Sequence, residues 1–280
     1  MDIILVIIAL SWLVYASIQD LKTREVPDWL SYSLIIIALV AAILKSILLK
    51  NPFILVSLFS FFLFLALGSL LYYTKQFGGG DVKLLAGLGA LIPVYPELLL
   101  KYFNPNLDLP FFLILIINII LFGALYSLVY GIYLIIKNKN KIKLKNYKIN
   151  KIYFIISLAL VILQFLFNDI LIKLFIIFLA LISLITPYLL LFVKIIEKNI
   201  LIKKIPLAKL TEGDWIVNNI YHKGKLIYNK NSPGITNAQI LLFKKLKFKY
   251  VTIKEGLPFI PSFLLALIAS LIFGNIFVLG

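Results

Sequence analysis

The sequence predicts an all-α polytopic membrane protein of about eight transmembrane helices, N-terminus outside, with a small cytoplasmic α+β module before the last helix. Three observations lead there. Hydrophobic residues make up 62% of the 280 and charged residues only 14%, giving a mean hydropathy of +1.04. Several apolar runs reach the roughly 18 residues that mark a membrane-spanning helix. The basic residues, 28 Lys and Arg against 12 Asp and Glu, fall between alternate runs, as expected when positive charge stays on the cytoplasmic side.

Hydropathy places the spans at 2–18, 29–49, 52–73, 84–100, 111–136, 152–168, 170–193 and 258–279. The first run, Asp2 to Ile18, has the length of a signal peptide. It lacks a basic leading region and a small-residue cleavage site and carries Asp2, so it reads as a retained span. The 84–100 run is the weakest, because Gly87, Gly89, Pro93, Pro96 and Glu97 interrupt it. The stretch 152–193 is too long for one crossing, since its 42 residues would form about 63 Å of helix at 1.5 Å per residue. Asn168-Asp169 is the natural break, giving a helical hairpin.

Lysine placement sets the orientation. With the N-terminus outside, segments 19–28, 74–83, 137–151 and 194–257 lie inside and carry 2, 2, 7 and 13 basic residues, 24 of the 28. Lys45, Lys50, Lys101 and Lys173 remain outside. A non-crossing 84–100 would move the seven-lysine loop outside, so the charge pattern favours a crossing there. The excess charge of +16 accordingly reads as attraction to anionic lipid and not as nucleic-acid binding.

Residues 197–256 form the one sizeable region outside the membrane. Turn signals at Glu212-Gly213-Asp214, Lys223-Gly224 and Ser232-Pro233-Gly234 separate β-like runs at Trp215–Val217, Lys225–Tyr228 and Lys249–Ile253. Asn237–Leu246 reads as a short helix. The expected organisation is a transmembrane catalytic core over 1–136, a lysine-rich loop and hairpin over 137–196, the α+β module over 197–256 and a final helix over 257–280.

Two carboxylates stand out. Ionisable groups at membrane depth are costly, and their default reading is functional. Asp81 follows a glycine run in Gly78-Gly79-Gly80-Asp81-Val82-Lys83-Leu84, and Asp20 ends the first span. The glycines permit unusual backbone conformations and close approach of another chain. They do not form a phosphate loop, because the Gly-x4-Gly-Lys-Ser/Thr spacing is absent. The lysine-derived topology puts both acids on one face. Two neighbouring carboxylates can share a proton, one acting as base toward water and the other as acid toward an oxyanion. The absence of cysteine excludes a cysteine zinc site and Cys-His catalysis, and the single histidine, His222, is too few for a histidine-based metal site and makes no plausible Ser-His arrangement. No cofactor is expected.

The string Gly78-Gly79-Gly80-Asp81-Val82-Lys83-Leu84-Leu85-Ala86 resembles the GxGD-x-K-L-x-A signature of type IV prepilin peptidases. Asp20, with Val26-Pro27-Asp28-Trp29-Leu30 behind it, resembles their first aspartate motif. Leu210-Thr211-Glu212-Gly213-Asp214 and Gly256-Leu257-Pro258-Phe259-Ile260-Pro261 look like the C-terminal part of the archaeal prepilin/preflagellin branch. The resemblance implies an aspartyl endopeptidase that removes short basic leaders from type IV pilin-like or archaellin precursors at the cytoplasmic face. Asp20 and Asp81 would be its catalytic pair and Gly78, Gly79 and Gly80 its close-approach segment. Lys83 belongs to the motif without an assigned step. Glu25 and Asp28 are candidate receivers for the leader's basic residues. Because cysteine is absent, the zinc element of bacterial relatives is missing, and their N-methylating activity does not carry over. Two other readings stay open: a presenilin-like or signal-peptide-peptidase-like intramembrane protease, and a carrier relaying ions or protons through paired carboxylates. Which precursor is cut, and the oligomeric state, are not fixed by the sequence.

Overall fold

Helix α4 (Gly79–Leu91) is the element around which the membrane core is built. In the computed structural model, which describes residues 1–142 and 147–278, α4 packs between α2 (Asp28–Leu49) and α3 (Phe53–Tyr73). Every residue from Leu84 to Leu91 is buried. Lipid offers helices no hydrophobic reason to associate, so they meet through small residues and interhelical hydrogen bonds. A Cβ on Gly87 would lie 3.1 Å from Ile35, and one on Gly89 would lie 2.5 Å from the Phe64 ring. Ser57 donates to the Ala90 carbonyl at 2.7 Å. The low hydropathy of 84–100 therefore has a cause, since its neighbours are protein and not lipid. The helix also ends sooner than that run. Pro93 disfavours helix at Ile92, and Glu97–Lys101 forms only a 3-10 turn.

The contacts give the directions. Gly68 faces Val82 while Phe64 faces Gly89, so α3 runs antiparallel to α4. Ser31 bonds to Gly80 while Ile35 faces Gly87, so α2 runs parallel to α4. The same unit contains α1 (Asp2–Thr23), α9 (Ile260–Phe273) and most of α5 (Phe111–Lys137). Asn118 of α5 donates to Ser270 Oγ and to the Gly274 carbonyl, each at 2.8 Å. Among the described residues, five helices are long and apolar enough to cross a membrane: Asp2–Thr23, Asp28–Leu49, Phe53–Tyr73, Phe111–Lys137 and Ile170–Leu201. Ile152–Leu166 and Ile260–Phe273 are shorter apolar helices. This is the helical complement of a multi-pass membrane protein.

Residues 131–203 form a separate unit in which α6 (Ile152–Leu163) pairs with α7 (Ile170–Ile196). The hairpin turns at the expected place. Asp169 does more than mark the break, because its Oδ1 caps α7 by accepting from the Leu171 and Ile172 amides at 2.7 and 3.1 Å. Ser157 and Ser183 bond across the hairpin to the Ala180 and Tyr153 carbonyls. Lys143 to Asn146 of the lysine-rich loop lie outside the described residues.

The extramembrane segment forms a three-stranded sheet of β1 (Ile202–Pro206), β2 (Trp215–Ile216) and β5 (Tyr250–Lys254), with β5 in the middle. A hairpin of β3 (Ile220–His222) and β4 (Lys225–Tyr228) turns on Lys223 and Gly224, both at positive φ. Helix α8 (Asn237–Lys245) starts at Thr236 with a Thr–Gln capping box. Ile216, Tyr228, Phe243, Val251 and Ile253 form the core. The expected strands and helix recur within a residue or two. The expectation missed β1, whose Ile-Lys-Lys-Ile reads as a basic linker, and β3, which the tight turn defines more than its own residues do.

Candidate active site

Asp20 lies in the last turn of α1 and is only 3% exposed. Its Oδ2 accepts a hydrogen bond from the Ile260 amide at 2.9 Å. Ile260 is the first residue of α9, where backbone N–H groups have no partner within the helix and favour an anion. Pro261 behind it has no N–H to offer. Asp81 stands in the first turn of α4, and its Oδ2 accepts from the Gly78 amide at 2.9 Å. Each carboxylate is thus held at a helix N-terminus. The two are close enough for the charge of Asp20 to act on Asp81.

The surrounding chain fixes both. Arg24 closes α1 in the left-handed conformation, with φ 60°. Its guanidinium donates to the Gly256 carbonyl at 3.0 Å and pairs with Glu255 at 3.0 Å. This ties the end of α1 to the segment that delivers the Ile260 amide. Val26 packs onto the glycine run, and Ser31 donates to the Gly80 carbonyl at 3.1 Å. The Phe77 ring, one residue before the run, meets Phe259 at 5.0 Å and Phe263 at 5.7 Å. One aromatic cluster therefore joins the Asp81 segment to the segment that caps Asp20.

The three glycines are not equivalent. A Cβ on Gly80 would sit 2.8 Å from the Val26 carbonyl oxygen, a backbone atom that cannot step aside. Gly79 has nothing within 4 Å of such a Cβ, and Gly78 meets only Asp81 at ordinary contact distance. None of the three has positive φ. What the run supplies in this structure is close approach at Gly80 and not an unusual backbone conformation.

The remaining candidates are engaged elsewhere. Lys83 pairs with Asp28 at 2.7 Å and lies 4.6 Å from the Tyr32 ring centre, tying α4 to the start of α2. Half-exposed pairs of this kind contribute about 0–1 kcal/mol. Glu25 accepts from the Thr211 hydroxyl at 2.9 Å, and Lys75 donates to the Lys230 carbonyl at 2.6 Å. The α+β module is thereby fastened to the loop that follows Asp20 and to the loop that precedes Asp81. Sequence reasoning singled out the segments that hold Thr211 and Ile260 but gave neither a role, and passed over Arg24, because residue type does not say what a backbone donor, a lone hydroxyl or a loop arginine will meet. Among the described residues no group of three or more His, Cys, Asp or Glu is placed to hold a metal.

Asp214 accepts from the Thr211 amide at 2.8 Å and from its hydroxyl at 3.1 Å. Burial pushes its carboxyl above the usual range; the Thr211 bonds oppose this, and the charges of Glu25 and Glu255 add to it. An acid whose folded value is raised contributes stability that is present at low pH and lost as pH rises through that value. Asp214→Asn is therefore expected to gain in melting temperature relative to wild type as pH is raised from about 4, the ordinary aspartate value, to neutral. A difference independent of pH would contradict this.

Residues 7–132 match the model of the type IV leader peptidase family. That segment contains Asp20, the glycine run and Asp81, so the resemblance read from Gly78–Ala86 is borne out by comparison of the chain itself. Curated relatives agree. A preflagellin peptidase of Methanococcus voltae is 30% identical over 142 residues, which is 50% of this chain and 61% of that protein. A preflagellin peptidase of Methanococcus maripaludis is 36% identical over 83 residues, or 30% of this chain and 36% of the relative. Prepilin peptidase EppA of Methanothermobacter thermautotrophicus is 29% identical over 181 residues, or 60% and 47%. The matched part of the chain spans between about a third and three-fifths of these relatives. The type IV leader peptidase match ends at residue 132, ahead of the α+β module and of α9, which supplies the Ile260 amide.

Proposed function

We propose that this chain is a membrane aspartyl endopeptidase that removes short basic leaders from type IV pilin-like or archaellin precursors at the cytoplasmic membrane face. The observation that carries the reading is the pair Asp20 and Asp81. They lie within reach of each other's charge, each against a helix N-terminal amide, inside the segment that matches the type IV leader peptidases. Like charges at close range cannot both ionise cheaply, so one carboxyl keeps its proton. The ionised partner takes a proton from water, whose oxygen attacks the scissile carbonyl carbon. The protonated partner donates its proton to the resulting oxyanion; as the tetrahedral intermediate collapses, the first carboxyl passes the proton taken from water to the departing amine, and the second recovers its own from the hydroxyl that becomes the new carbonyl.

The reading includes eight crossings with the N-terminus outside. In support, 24 of the 28 basic residues lie on one side of such a topology. The parallel α2–α4 and antiparallel α3–α4 packing is what alternate crossings require. Helix α4, with 13 residues, reaches about 20 Å at 1.5 Å per residue. Such a short crossing is workable because protein, not lipid, surrounds it.

The test is incubation of the purified full-length protein with a precursor bearing a basic leader ahead of an apolar segment. Cleavage just before the apolar segment is expected, and a wild type that leaves such a precursor intact overturns the reading. Glu25, at the mouth of the site, is assigned to the leader's basic residues, whereas Asp28 is already paired with Lys83. Glu25→Lys is expected to lower kcat/KM on basic-leader precursors about tenfold, and Asp28→Asn to change it less than twofold. Unchanged cleavage by Glu25→Lys would remove Glu25 from this role.

A further inference from the structure

Two hydroxyls on the Asp20 side of the core find no hydrogen-bond partner among the described residues although both are buried, those of Ser17 and Tyr126. Ser17 precedes Asp20 by one turn on the buried face of α1. Several helical hydroxyls elsewhere bond back to the carbonyl four residues earlier, as Ser270 does to Ala266 and Thr186 to Ile182, and others bond across to a neighbouring helix, as Ser57 does to Ala90 and Ser31 to Gly80. Ser17 does neither. Tyr126 belongs to α5, and its ring stacks on Tyr130 with centroids 5.7 Å apart and planes 15° apart. One turn earlier, Gly123 lets the Phe259 ring close against α5, and Phe259 directly precedes the residue whose amide holds Asp20. That register turns Tyr126 toward Asp20, whose charge reaches its hydroxyl. A buried unpaired donor weakens the resting protein, and one retained at a functional site calls for a partner that arrives later.

We propose that Tyr126 is a hydrogen-bond donor of the reaction centre, unpaired in the free enzyme and engaged by the carbonyl oxygen of the bound peptide. This rests on the peptidase reading and adds a residue to it. When water attacks the carbonyl carbon, the C=O π pair moves onto oxygen and the Tyr126 O–H donates to that oxyanion. The phenolic proton stays on Tyr126, while the proton transfers remain with Asp20 and Asp81. The interaction strengthens as charge develops, so it acts on kcat more than on KM. Ser17 marks the same region as short of donors' partners, and its hydroxyl offers a weaker second contact.

The test compares Tyr126→Phe with wild type on one basic-leader precursor, with kcat, KM and melting temperature measured on the full-length protein. Phenylalanine keeps the stack on Tyr130 and removes only the unpaired hydroxyl. The expected result is a kcat lowered about 10- to 100-fold, a KM within twofold and a melting temperature unchanged or higher. Ser17→Ala is expected to lower kcat less than tenfold, also without loss of melting temperature. A kcat within twofold of wild type for Tyr126→Phe overturns the proposal. So does a fall in kcat accompanied by a fall in melting temperature, which assigns the hydroxyl to the fold. A wild type that does not cleave overturns the peptidase reading together with this proposal, whereas wild-type cleavage with an undiminished Tyr126→Phe overturns only the latter.

Discussion

Asp20→Asn and Asp81→Asn are each expected to lower kcat for precursor cleavage by about 10³- to 10⁴-fold while leaving the protein folded. Asparagine suits the comparison because its side-chain oxygen still accepts the bond from the Ile260 amide in one case and from the Gly78 amide in the other. The two helix N-termini keep their partners, and only the ionisable proton is lost. Alanine is expected to behave differently. Asp20→Ala leaves the Ile260 amide buried without an acceptor, a loss of about 1–3 kcal/mol in stability, so it should inactivate and destabilise together. Parallel measurement of cleavage and melting temperature across the three variants separates chemistry from capping. Full cleavage by either asparagine variant would end the two-carboxylate mechanism. An alanine variant at position 20 as stable as the asparagine one would end the capping argument.

The second large effect concerns a single methyl group's worth of space. Gly80→Val is expected to lower activity by at least 100-fold and stability by about 1–3 kcal/mol, because overpacking at a backbone contact cannot be relieved by turning a side chain. The Val26 carbonyl lies 2.8 Å from where the new Cβ must go. Relief would push the Arg24–Pro27 loop off α4, and Asp20 would move away from Asp81 with it. Gly79→Val, one position earlier, meets nothing within 4 Å and is expected to cleave within a fewfold of wild type. Equal damage from both variants would show that the run acts through chain flexibility and not through close approach. A harmless Gly80→Val would remove the steric role altogether.

The long helices were legible because a crossing in lipid must be both apolar and long, and α1, α2, α3, α5 and α7 satisfy that on composition alone. Asp20 and Asp81 were legible because a charge in such surroundings is too costly to be incidental. The α+β module announced itself through its turns. Helix α4 was harder to read, since a helix surrounded by protein has no need of the hydropathy that lipid demands and Gly87 and Gly89 lower the signal as they tighten the packing. Tyr126 sits in a run of tyrosines and aliphatics that reads as ordinary lipid-facing helix. Only the neighbouring Gly123–Phe259 contact turns it inward. The Ile260 amide, the Thr211 hydroxyl and the Arg24–Gly256 bond join positions more than 180 residues apart through backbone or generic polar groups. Residue type alone leaves no trace of such pairings.

The bond between Asp20 and Ile260 also has a meaning in time. The two are 240 residues apart, so at about 5–20 residues per second the ribosome needs roughly 12–48 s to supply the second after the first. For most of that interval α1 and the glycine run have already been made while the Asp20 carboxyl has no helix end to rest against. A nascent chain would therefore carry both acids but not yet a formed site, and synthesis of α9 would be the step that arms it.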